Sequence, residues 1–524
     1  MGVYINKGNI GFQRTRNSEY VDKSGLIDIV NQTLFTEQSF SCVTRCRRFG
    51  KSMAAKMLCA YYDYSCDSRY LFKDLEIAKH HSFEKHLNKY PVIYLDMTGF
   101  VTRFKDESIV NHIEKKLLDE LKETYFQVIT KEDDDLMSFL IRVVAQIGQH
   151  FIFIIDEWDA IYREFPSQSE AMDRYVDWLR RMFKDIAAYD VFAGVYLTGI
   201  LPIKKYKTES ALNNFIEYSM IDPGNMAPFF GFTKNEVQLL AKRYRVDFDE
   251  LEKWYDGYQI GKLHSMFNPI SVMLALRNEW CESYWGKTGA TDAISSYIKL
   301  NYEGLKDDII QMLSGARCKV STTGFKNDLC EINSRDDVLT VLIHLGYLSY
   351  DRKNMECYIP NKEVAGEMEI AIRDNQWTIV VDALNKSEKL FQALLDRNEE
   401  AVAHGIEAAH DENTSILSYN NENSLACVLC LAFYYARNDY LMFRELPSGK
   451  GCADIVLIPR KHTATPPIIL ELKFSKDTET AINQRKSKNY AGHLKDITGE
   501  VILVCINYDK KTKKHECKIE KVII

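Results

Sequence analysis

The stretch TRCRRFGKS, residues 44–52, decides how this chain is interpreted. It ends in Gly50-Lys51-Ser52, as a phosphate-binding loop of the Walker A pattern G-x-x-x-x-G-K-[ST] ends. Its first half departs from that pattern, because Arg45 stands where the first glycine belongs. Two interpretations are open: a nucleotide site with a modified entrance, or a basic loop that ends in these three residues by chance.

The neighbouring segments favour a nucleotide site. FSCVT (40–44) predicts a buried strand before the loop, and SMAAKMLCAYY (52–62) has apolar residues at helical spacing after it. Strand, loop and helix in this order form an anion site, because the free N–H groups and the dipole of a helix N-terminus attract phosphate. We expect Lys51 to reach the β- and γ-phosphates of a nucleotide and Ser52 to bind Mg²⁺ through its hydroxyl.

A second segment supplies the acidic residues that a nucleotide site needs. HFIFIIDEWDA (150–160) is an apolar run ending in Asp156-Glu157, which predicts a strand buried on both faces. Carboxylates at the C-terminal end of such a strand face the crevice where α/β sheets bind ligands. We therefore expect Asp156, as the Walker B aspartate, to organise the water shell of Mg²⁺. Glu157 is expected to orient and activate a water molecule against the γ-phosphate.

Two further apolar runs predict strands of the same sheet. PVIYLDM (91–97) ends in Asp96, and VFAGVYLTG (191–199) ends in Thr198, which we expect to be a polar sensor of the γ-phosphate. With the loop and the acidic strand end, they predict a parallel P-loop NTPase sheet that binds a nucleoside triphosphate.

The loop itself is rich in arginine. Arg45, Arg47, Arg48 and the adjacent Phe49 fill positions where small residues usually let the backbone wrap the phosphates. Because arginine makes planar, permanently charged phosphate contacts, side-chain clamping can replace backbone cradling. The alternative is a more open site that hydrolyses its nucleotide slowly.

A different set of residues marks the C-terminal part. In PPIILELKFS (466–475), strict alternation places Glu471 and Lys473 on one strand face. Asp454 starts DIVLI, a neighbouring predicted strand, so the three side chains converge if these strands pair. Two carboxylates suit Mg²⁺, which lowers the pKa of an attacking water, and a lysine can position that water or stabilise developing negative charge. This chemistry is that of phosphodiester hydrolysis.

Several motifs together resemble one known family. They are YVDKSGLI (20–27), TRCRRFGKS, FIIDEWDA, WYDGY (254–258) and FNPISV (267–272), and in this order they resemble the AAA-ATPase-like family of bacterial proteins. The loop of that family is usually arginine-rich without the first glycine. The resemblance implies ATP as the nucleotide and a nuclease-like domain after the ATPase, whereas the residues alone imply only a triphosphate.

The arrangement of Asp454, Glu471 and Lys473 resembles the PD-(D/E)XK nuclease superfamily, over about residues 385–524. The resemblance implies that the two carboxylates bind the metal and that the lysine is catalytic. Gln484, given a catalytic role by the same resemblance, belongs to the Q-x₅-Y element often seen there. The other candidates to support this site are Tyr490, Glu422 and Glu445.

Three domains are expected in the 524 residues: an ATPase-like domain over 1–230, a mainly helical lid over 231–375 and a nuclease-like domain over 385–524. Residues 336–360 predict a helix and a hairpin, reminiscent of a winged helix, for which packing between domains is favoured over DNA reading. WYDGY is expected to form a tight turn with aromatic packing. Whether this turn also transmits the nucleotide state is left open.

Composition limits the class of protein. The chain is 46% hydrophobic and 27% charged, and its N-terminus lacks the apolar stretch of a signal peptide. Thirteen cysteines are scattered, and the close pair Cys427 and Cys430 is better read as core than as zinc ligands. We expect a cytoplasmic protein without a membrane span, and oligomerisation is left open.

Charge is unevenly spread along the chain. Residues 440–524 carry 16 basic and 10 acidic residues, a net of +6, so the whole-chain charge of -7 leaves -13 on the other 439. The basic clusters QRKSKNY (484–490) and DKKTKKHECK (509–518) are either solvated surface or phosphate contacts. The sequence predicts an ATP-controlled, metal-dependent nuclease that binds nucleic acid at its C-terminal domain. The alternative is a nucleotide-switched signalling or scaffold protein whose nuclease-like domain binds without cleaving.

Overall fold

A computed structural model describes most of the chain. The described residues are 2–104, 108–129, 135–164, 169–203, 205–206, 209–210, 212–286, 291–300, 302, 304–313, 315–326, 332–374, 378–413, 429, 432–438, 440–448, 451–459, 465–474, 500–509 and 514–523. They divide into two compact units, of which the first comprises Met1–Ala290 with Lys319–Gly366 and the second Thr291–Cys318 with Glu367–Ile524. The boundaries 1–230, 231–375 and 385–524 stay a prediction.

The first unit is built on a five-stranded parallel sheet. Its strands are β1 (Phe40–Thr44), β2 (Val92–Asp96), β3 (Phe151–Asp156), β4 (Phe192–Gly199) and β7 (Ile216–Tyr218). They lie in the order β2-β3-β4-β1-β7. Every residue of β1, β3 and β4 is buried, which explains why these segments are continuous apolar runs. The predicted parallel α/β sheet is confirmed.

Helices cover both faces of this sheet. In chain order they are α1 (Ile10–Arg16), α2 (Gly25–Thr33), α3 (Lys51–Tyr62), α4 (Arg69–Phe72), α5 (Phe83–His86), α6 (Met97–Arg103), α7 (Ile109–Thr124), α8 (Leu136–Ile147), α9 (Ala160–Glu164), α10 (Ser169–Phe183) and α11 (Ala187–Val191). One face of the sheet packs on α7, α8 and α10 in a large apolar core, and α3 packs against β2, β3 and β4. The short strands β5 (Lys205–Tyr206) and β6 (Glu209–Ser210) form a separate hairpin.

The rest of the first unit is a smaller mixed region. Its elements are β8 (Phe232–Thr233), α12 (Lys234–Tyr244), α13 (Phe248–Tyr255), β9 (Tyr258–Ile260), β10 (Leu263–Phe267), α14 (Pro269–Asn278), α17 (Arg335–Leu345), β12 (Ser349–Asp351) and β13 (Glu356–Tyr358). Thr233 and Glu236 form a capping box at the start of α12. The predicted helix and hairpin over 336–360 are also present, as α17 with β12 and β13.

The second unit places a mixed sheet beside helices. Its helices are α15 (Thr291–Ile298), α16 (Leu305–Leu313), α19 (Thr378–Leu395) and α20 (Glu399–Asn413), and its strands are β14 (Tyr440–Ser448), β15 (Gly451–Pro459), β16 (Ile468–Phe474), β17 (Glu500–Asp509) and β18 (Lys514–Ile523). The strands follow one another in chain order, and only the β16–β17 pair is parallel. α18 (Lys362–Asp374) and β11 (Cys318–Lys319) lie where the chain passes between the units. Within the described residues, no helix is long and apolar enough to cross a membrane.

Candidate functional site: a phosphate loop and its cavity

The loop at residues 44–52 turns sharply between β1 and α3. Gly50 is the N-cap of α3 and has a φ of 90°, and a Cβ placed there would meet nothing within 4 Å. The glycine is therefore needed for its left-handed backbone and not for space. Arg48 also has a positive φ, of 70°. These two residues bring the N-terminus of α3 to the C-terminal edge of the sheet, which is where the sequence predicts the phosphates.

Lys51 is buried at the centre of this loop. Its Nζ donates a hydrogen bond to the carbonyl oxygen of Cys46 at 3.1 Å and lies 3.6 Å from Oε1 of Glu157. Only 4% of the residue is exposed. The ammonium group is thus held by one carbonyl and one carboxylate, both of which an incoming phosphate can replace as partners.

Asp156 is held at the end of β3 by two hydroxyl groups. Its carboxylate accepts hydrogen bonds from Thr198 Oγ1 at 2.7 Å and from the Tyr94 hydroxyl at 3.1 Å. Burial raises the pKa of Asp156 above its ordinary value, and the hydroxyl groups of Thr198 and Ser52 oppose that rise. Ser52 is therefore near enough to Asp156 to act on its carboxylate.

Glu157 leaves the strand in a rare conformation. Its φ is 55°, in the left-handed region that non-glycine residues seldom adopt. Its carboxylate lies between two cations, with Oε1 toward Lys51 and Oε2 accepting a hydrogen bond from Arg163 Nη2 at 2.5 Å. Burial lowers the pKa of Arg163, but the carboxylates of Asp159 and Glu157 outweigh it, so the pKa is raised overall and the guanidinium stays charged.

A cavity of about 690 Å³ opens beside the loop. Its polar end is lined by Arg48, Lys51, Ser52 and Glu157. Its other walls are mostly apolar, with Glu19 and Lys23 also on the lining, and the apolar part is formed by Val21, Met57, Phe229, Phe232, Ile270, Met273, Leu274 and Tyr284. A volume of this size suits a small organic ligand. Sequence reasoning missed these walls, although YVDKSGLI and FNPISV, two motifs without an assigned role, supply several of them.

Arg45 corrects one expectation. The residue is completely buried, and its Nη1 donates to the carbonyl oxygens of Thr44 and Tyr218 at 2.8 Å each, with the guanidinium 5.2 Å from the ring centre of Phe230. Burial lowers the pKa of Arg45 to about 10. A guanidinium bound to β7 in this way joins two parts of the fold and does not reach a phosphate in the cavity.

Thr198 lies beside the acidic end of β3. Its side chain is fully buried and its hydroxyl donates to Asp156, while the backbone N–H of Glu157 points to the same hydroxyl oxygen at 3.4 Å. It therefore orients the two acidic residues from β4, the strand next to β3. Its expected role toward the γ-phosphate stays a prediction.

The remaining loop residues differ in their surroundings. Arg47 and Arg48 are half-buried, and Arg48 lines the cavity. Phe49 is buried, its carbonyl accepts a hydrogen bond from Gly231 N at 3.1 Å, and its ring lies edge-on to Tyr258 with 5.2 Å between ring centres. Because Tyr258 belongs to WYDGY, that motif packs against the phosphate loop through Phe49.

Strand pairing sets the positions of the C-terminal candidates. β15 and β16 are antiparallel, with Ile455 opposite Leu470. Asp454 precedes Ile455 and Glu471 follows Leu470, so both lie at the same end of the two paired strands. Glu471 is buried, with 1% exposed, and in β16 it lies two residues after Ile469 and on the same face. The pairing on which the predicted convergence depends is thus present in the backbone.

Several predicted residues lie outside the described residues: Gln484, Tyr490, Glu422, Cys427, Cys430 and the basic cluster 484–490. Lys473 and Glu445 are placed only as positions in β16 and β14. Among the described residues, no group of three or more His, Cys, Asp or Glu side chains is arranged to hold a metal ion.

A further polar residue lies beside the C-terminal candidates. Asn507 on β17 is opposite Lys473 in the parallel register and is buried, with 7% exposed. Its neighbour two residues earlier, Cys505, is opposite Glu471. Sequence reasoning missed Asn507, because a lone asparagine in an apolar strand belongs to no motif, although a polar residue inside INYD after a buried run was a signal.

The parallel sheet, the loop and the acidic strand end define the class of the first unit, an α/β domain of the P-loop ATPase type. Residues 10–208 match the model of the AAA-ATPase-like family, described as a predicted AAA-ATPase, and residues 420–518 match that of the PD-(D/E)XK nuclease superfamily. The chain therefore carries an AAA-ATPase-like domain followed by a PD-(D/E)XK nuclease superfamily domain.

Individual relatives are distant. An uncharacterized protein from the vnfD 5' region of Azotobacter chroococcum mcd 1 is 24% identical over 277 residues, which are 52% of this chain and 50% of that protein. The match thus spans about half the length of this curated relative. Two solved structures are also similar: the Walker-type ATPase of Pyrococcus abyssi (13% identity, TM-score 0.32, 66% of this chain and 94% of that one) and the ORC2 protein of Aeropyrum pernix in ADPNP–ADP complexes (10%, 0.30, 71% and 99%).

Proposed function

We propose that the AAA-ATPase-like domain binds ATP with Mg²⁺ in the 690 Å³ cavity and hydrolyses it. The observation that carries this proposal is the meeting of Lys51, Ser52 and Glu157 at the polar end of a cavity with apolar walls. Lys51 exchanges its bonds to Cys46 and Glu157 for the β- and γ-phosphates. The apolar walls hold the base, and Arg48 lies at the polar end as a further phosphate contact.

The donor set near the loop fits a magnesium ion. The Ser52 hydroxyl acts on the Asp156 carboxylate by lowering its pKa, so the two side chains are neighbours, and hydroxyl and carboxylate oxygens are ligands that Mg²⁺ accepts. When bound, Mg²⁺ neutralises phosphate charge. Thr198 and Tyr94 keep the Asp156 carboxylate in place through their hydroxyl groups. Glu157 accepts a proton from the attacking water.

Calorimetric titration with MgATP tests the site. We expect the wild-type chain to bind and Lys51→Ala to lose at least ten-fold in affinity, because a buried ammonium group is the main cation toward the phosphates. Lys56→Ala is the matched control, since this lysine lies on the same helix and is exposed. Equal ATP affinity in wild type and Lys51→Ala would refute the proposal.

For the C-terminal domain we propose metal-dependent cleavage of phosphodiester bonds in nucleic acid. The support is the superfamily match together with the backbone pairing that brings Asp454 and Glu471 to the same end of two strands. In this proposal the two carboxylates bind the metal ion, which polarises the phosphate and activates water. Lys473 stabilises developing charge, and Gln484 supports the site. We also propose that the chain works in the cytoplasm.

The nuclease proposal is tested with plasmid DNA, single-stranded DNA and RNA, each incubated with Mg²⁺ or Mn²⁺, with and without ATP. We expect cleavage that Asp454→Ala abolishes and that Asp396→Ala, an exposed aspartate of the same unit, leaves intact. Nucleic-acid binding without cleavage by the wild type would instead support the signalling or scaffold alternative. ATP-dependent oligomerisation in that case would strengthen it.

A further inference from the structure

The two oxygens of the Glu157 carboxylate have different partners. Oε2 accepts a hydrogen bond from Arg163 Nη2 at 2.5 Å, whereas Oε1 lies 3.6 Å from Lys51 Nζ. Glu157 lines the cavity. One oxygen is therefore bound on the protein side while the other is directed to the end of the cavity where the phosphates are proposed to bind.

Arg163 is itself held by a second carboxylate, that of Asp159. Its side chain is 14% exposed, and its Nε lies 3.5 Å from Oδ2 of Asp159. That carboxylate oxygen accepts hydrogen bonds from the backbone N–H groups of Ile200 at 3.0 Å and Leu201 at 2.9 Å, directly after β4. A chain of contacts thus connects the sheet edge through Asp159 and Arg163 to Glu157.

An ion pair that only stabilised the fold would not require a left-handed backbone at Glu157 or different partners for its two carboxylate oxygens. A free glutamate side chain rotates about three bonds, and the left-handed backbone of Glu157 persists only where its surroundings fix it. A general base must also present one particular oxygen to the water from which it takes a proton. An arginine that binds the opposite oxygen meets this requirement, as an orienting group does in other catalytic constellations.

We propose that Arg163 is a positioning residue for ATP hydrolysis, which binds Oε2 of Glu157 so that Oε1 faces the attacking water. The inference rests on the proposed ATPase function. In the step, the water oxygen forms a bond to the γ-phosphorus and the bond from that phosphorus to the bridging oxygen breaks. One water proton passes to Oε1, and ADP and inorganic phosphate leave.

Steady-state hydrolysis of MgATP by the full chain, together with calorimetric ATP affinity, tests this role. We expect Arg163→Met to lower kcat about 10- to 100-fold while KM and the ATP Kd change less than about two-fold, since general bases contribute 10²–10⁴-fold and Arg163 acts only through one. Arg163→Lys should recover part of kcat, because it keeps the charge. Arg174→Met, which loses an exposed pair with Glu170, is the control.

Unchanged kcat in Arg163→Met overturns the inference, and so does an ATP affinity that falls in parallel with kcat. If Arg163→Met does not fold, Arg163→Lys carries the test, with an expected kcat loss of about 3- to 10-fold at unchanged Kd; wild-type kcat then counts against the inference. A wild type that binds no ATP refutes the proposed function itself. One that binds without hydrolysing refutes hydrolysis and this inference, and leaves ATP binding standing.

Discussion

Asp256 illustrates how one buried charge enters the stability of the fold. Burial raises its pKa to about 6, and the hydrogen bonds from Ser265 Oγ and from the backbone of Gly257 only partly offset that rise. The folded protein therefore binds this proton more tightly than the unfolded chain does. Below about pH 4 the carboxyl is neutral in both states, stability falls as the pH rises from about 4 to about 6, and above that it no longer changes through this group.

We predict that Asp256→Asn stabilises the protein at pH 8. The amide oxygen still accepts the bond from Ser265, but no charge is buried, so the gain should be about 1–2 kcal/mol. It should shrink as the pH falls from about 6 to about 4 and vanish below that. Thermal unfolding across this pH range measures it, with Asp396→Asn as the control for loss of one exposed negative charge. A gain that is equal at pH 5 and pH 8 would contradict the assignment of burial as the cause.

At the scale of elements, WYDGY connects α13 to β9 through a turn with no room for a side chain. Gly257 has a φ of 104°, and a Cβ there would lie 1.9 Å from the carbonyl oxygen of Pro360. Asn361 Nδ2 donates to the carbonyl oxygen of Asp256 at 2.9 Å. The next residue, Tyr258, contacts Phe49 of the phosphate loop. The turn therefore contacts both the segment 360–361 and the phosphate loop, and it holds them in a fixed relation to each other.

We predict that Gly257→Ala costs about 3 kcal/mol or more in the free energy of unfolding, because backbone strain and a backbone clash add. Denaturant unfolding measures the loss. Gly99→Ala is the matched control: it lies in α6 with nothing within 4 Å of an added Cβ, so about 0.5–1 kcal/mol of stabilisation is expected. Equal effects of the two substitutions would show that the turn is more adaptable than its contacts indicate.

Elements were predictable from the sequence where local pattern decides them. The apolar runs at 40–44 and 191–199 predict buried strands close to the bounds that are observed. The burial of Arg45 was not predictable, because its carbonyl partner on Tyr218 is 173 residues away. The contact between Arg163 and Glu157 was missed although both lie in one short segment, since no motif rule pairs them.

At the scale of the whole molecule, the two compact units do not follow the order of the residues along the chain. The segment Thr291–Cys318 lies between two parts of the first unit in sequence but belongs to the second unit. Its helices α15 and α16 bury a set of apolar side chains: Ile294, Ile298, Leu305, Ile309, Ile310 and Leu313. By sequence alone this segment falls within the predicted lid over 231–375. The two assignments make opposite predictions for a core substitution in α16.

We predict that Ile309→Ala loosens the second unit and leaves the ATP site intact. A fully buried isoleucine typically contributes about 2–5 kcal/mol over alanine, and that loss should appear only in the unit that contains it. Hydrogen exchange should therefore rise in α19 and α20, while the affinity for MgATP stays within two-fold of wild type. Ile343→Ala, equally buried in α17, is the reciprocal control and should raise exchange in the first unit. Weaker ATP binding by Ile309→Ala with unchanged exchange in α19 and α20 would instead place the segment with the lid, as chain order predicts.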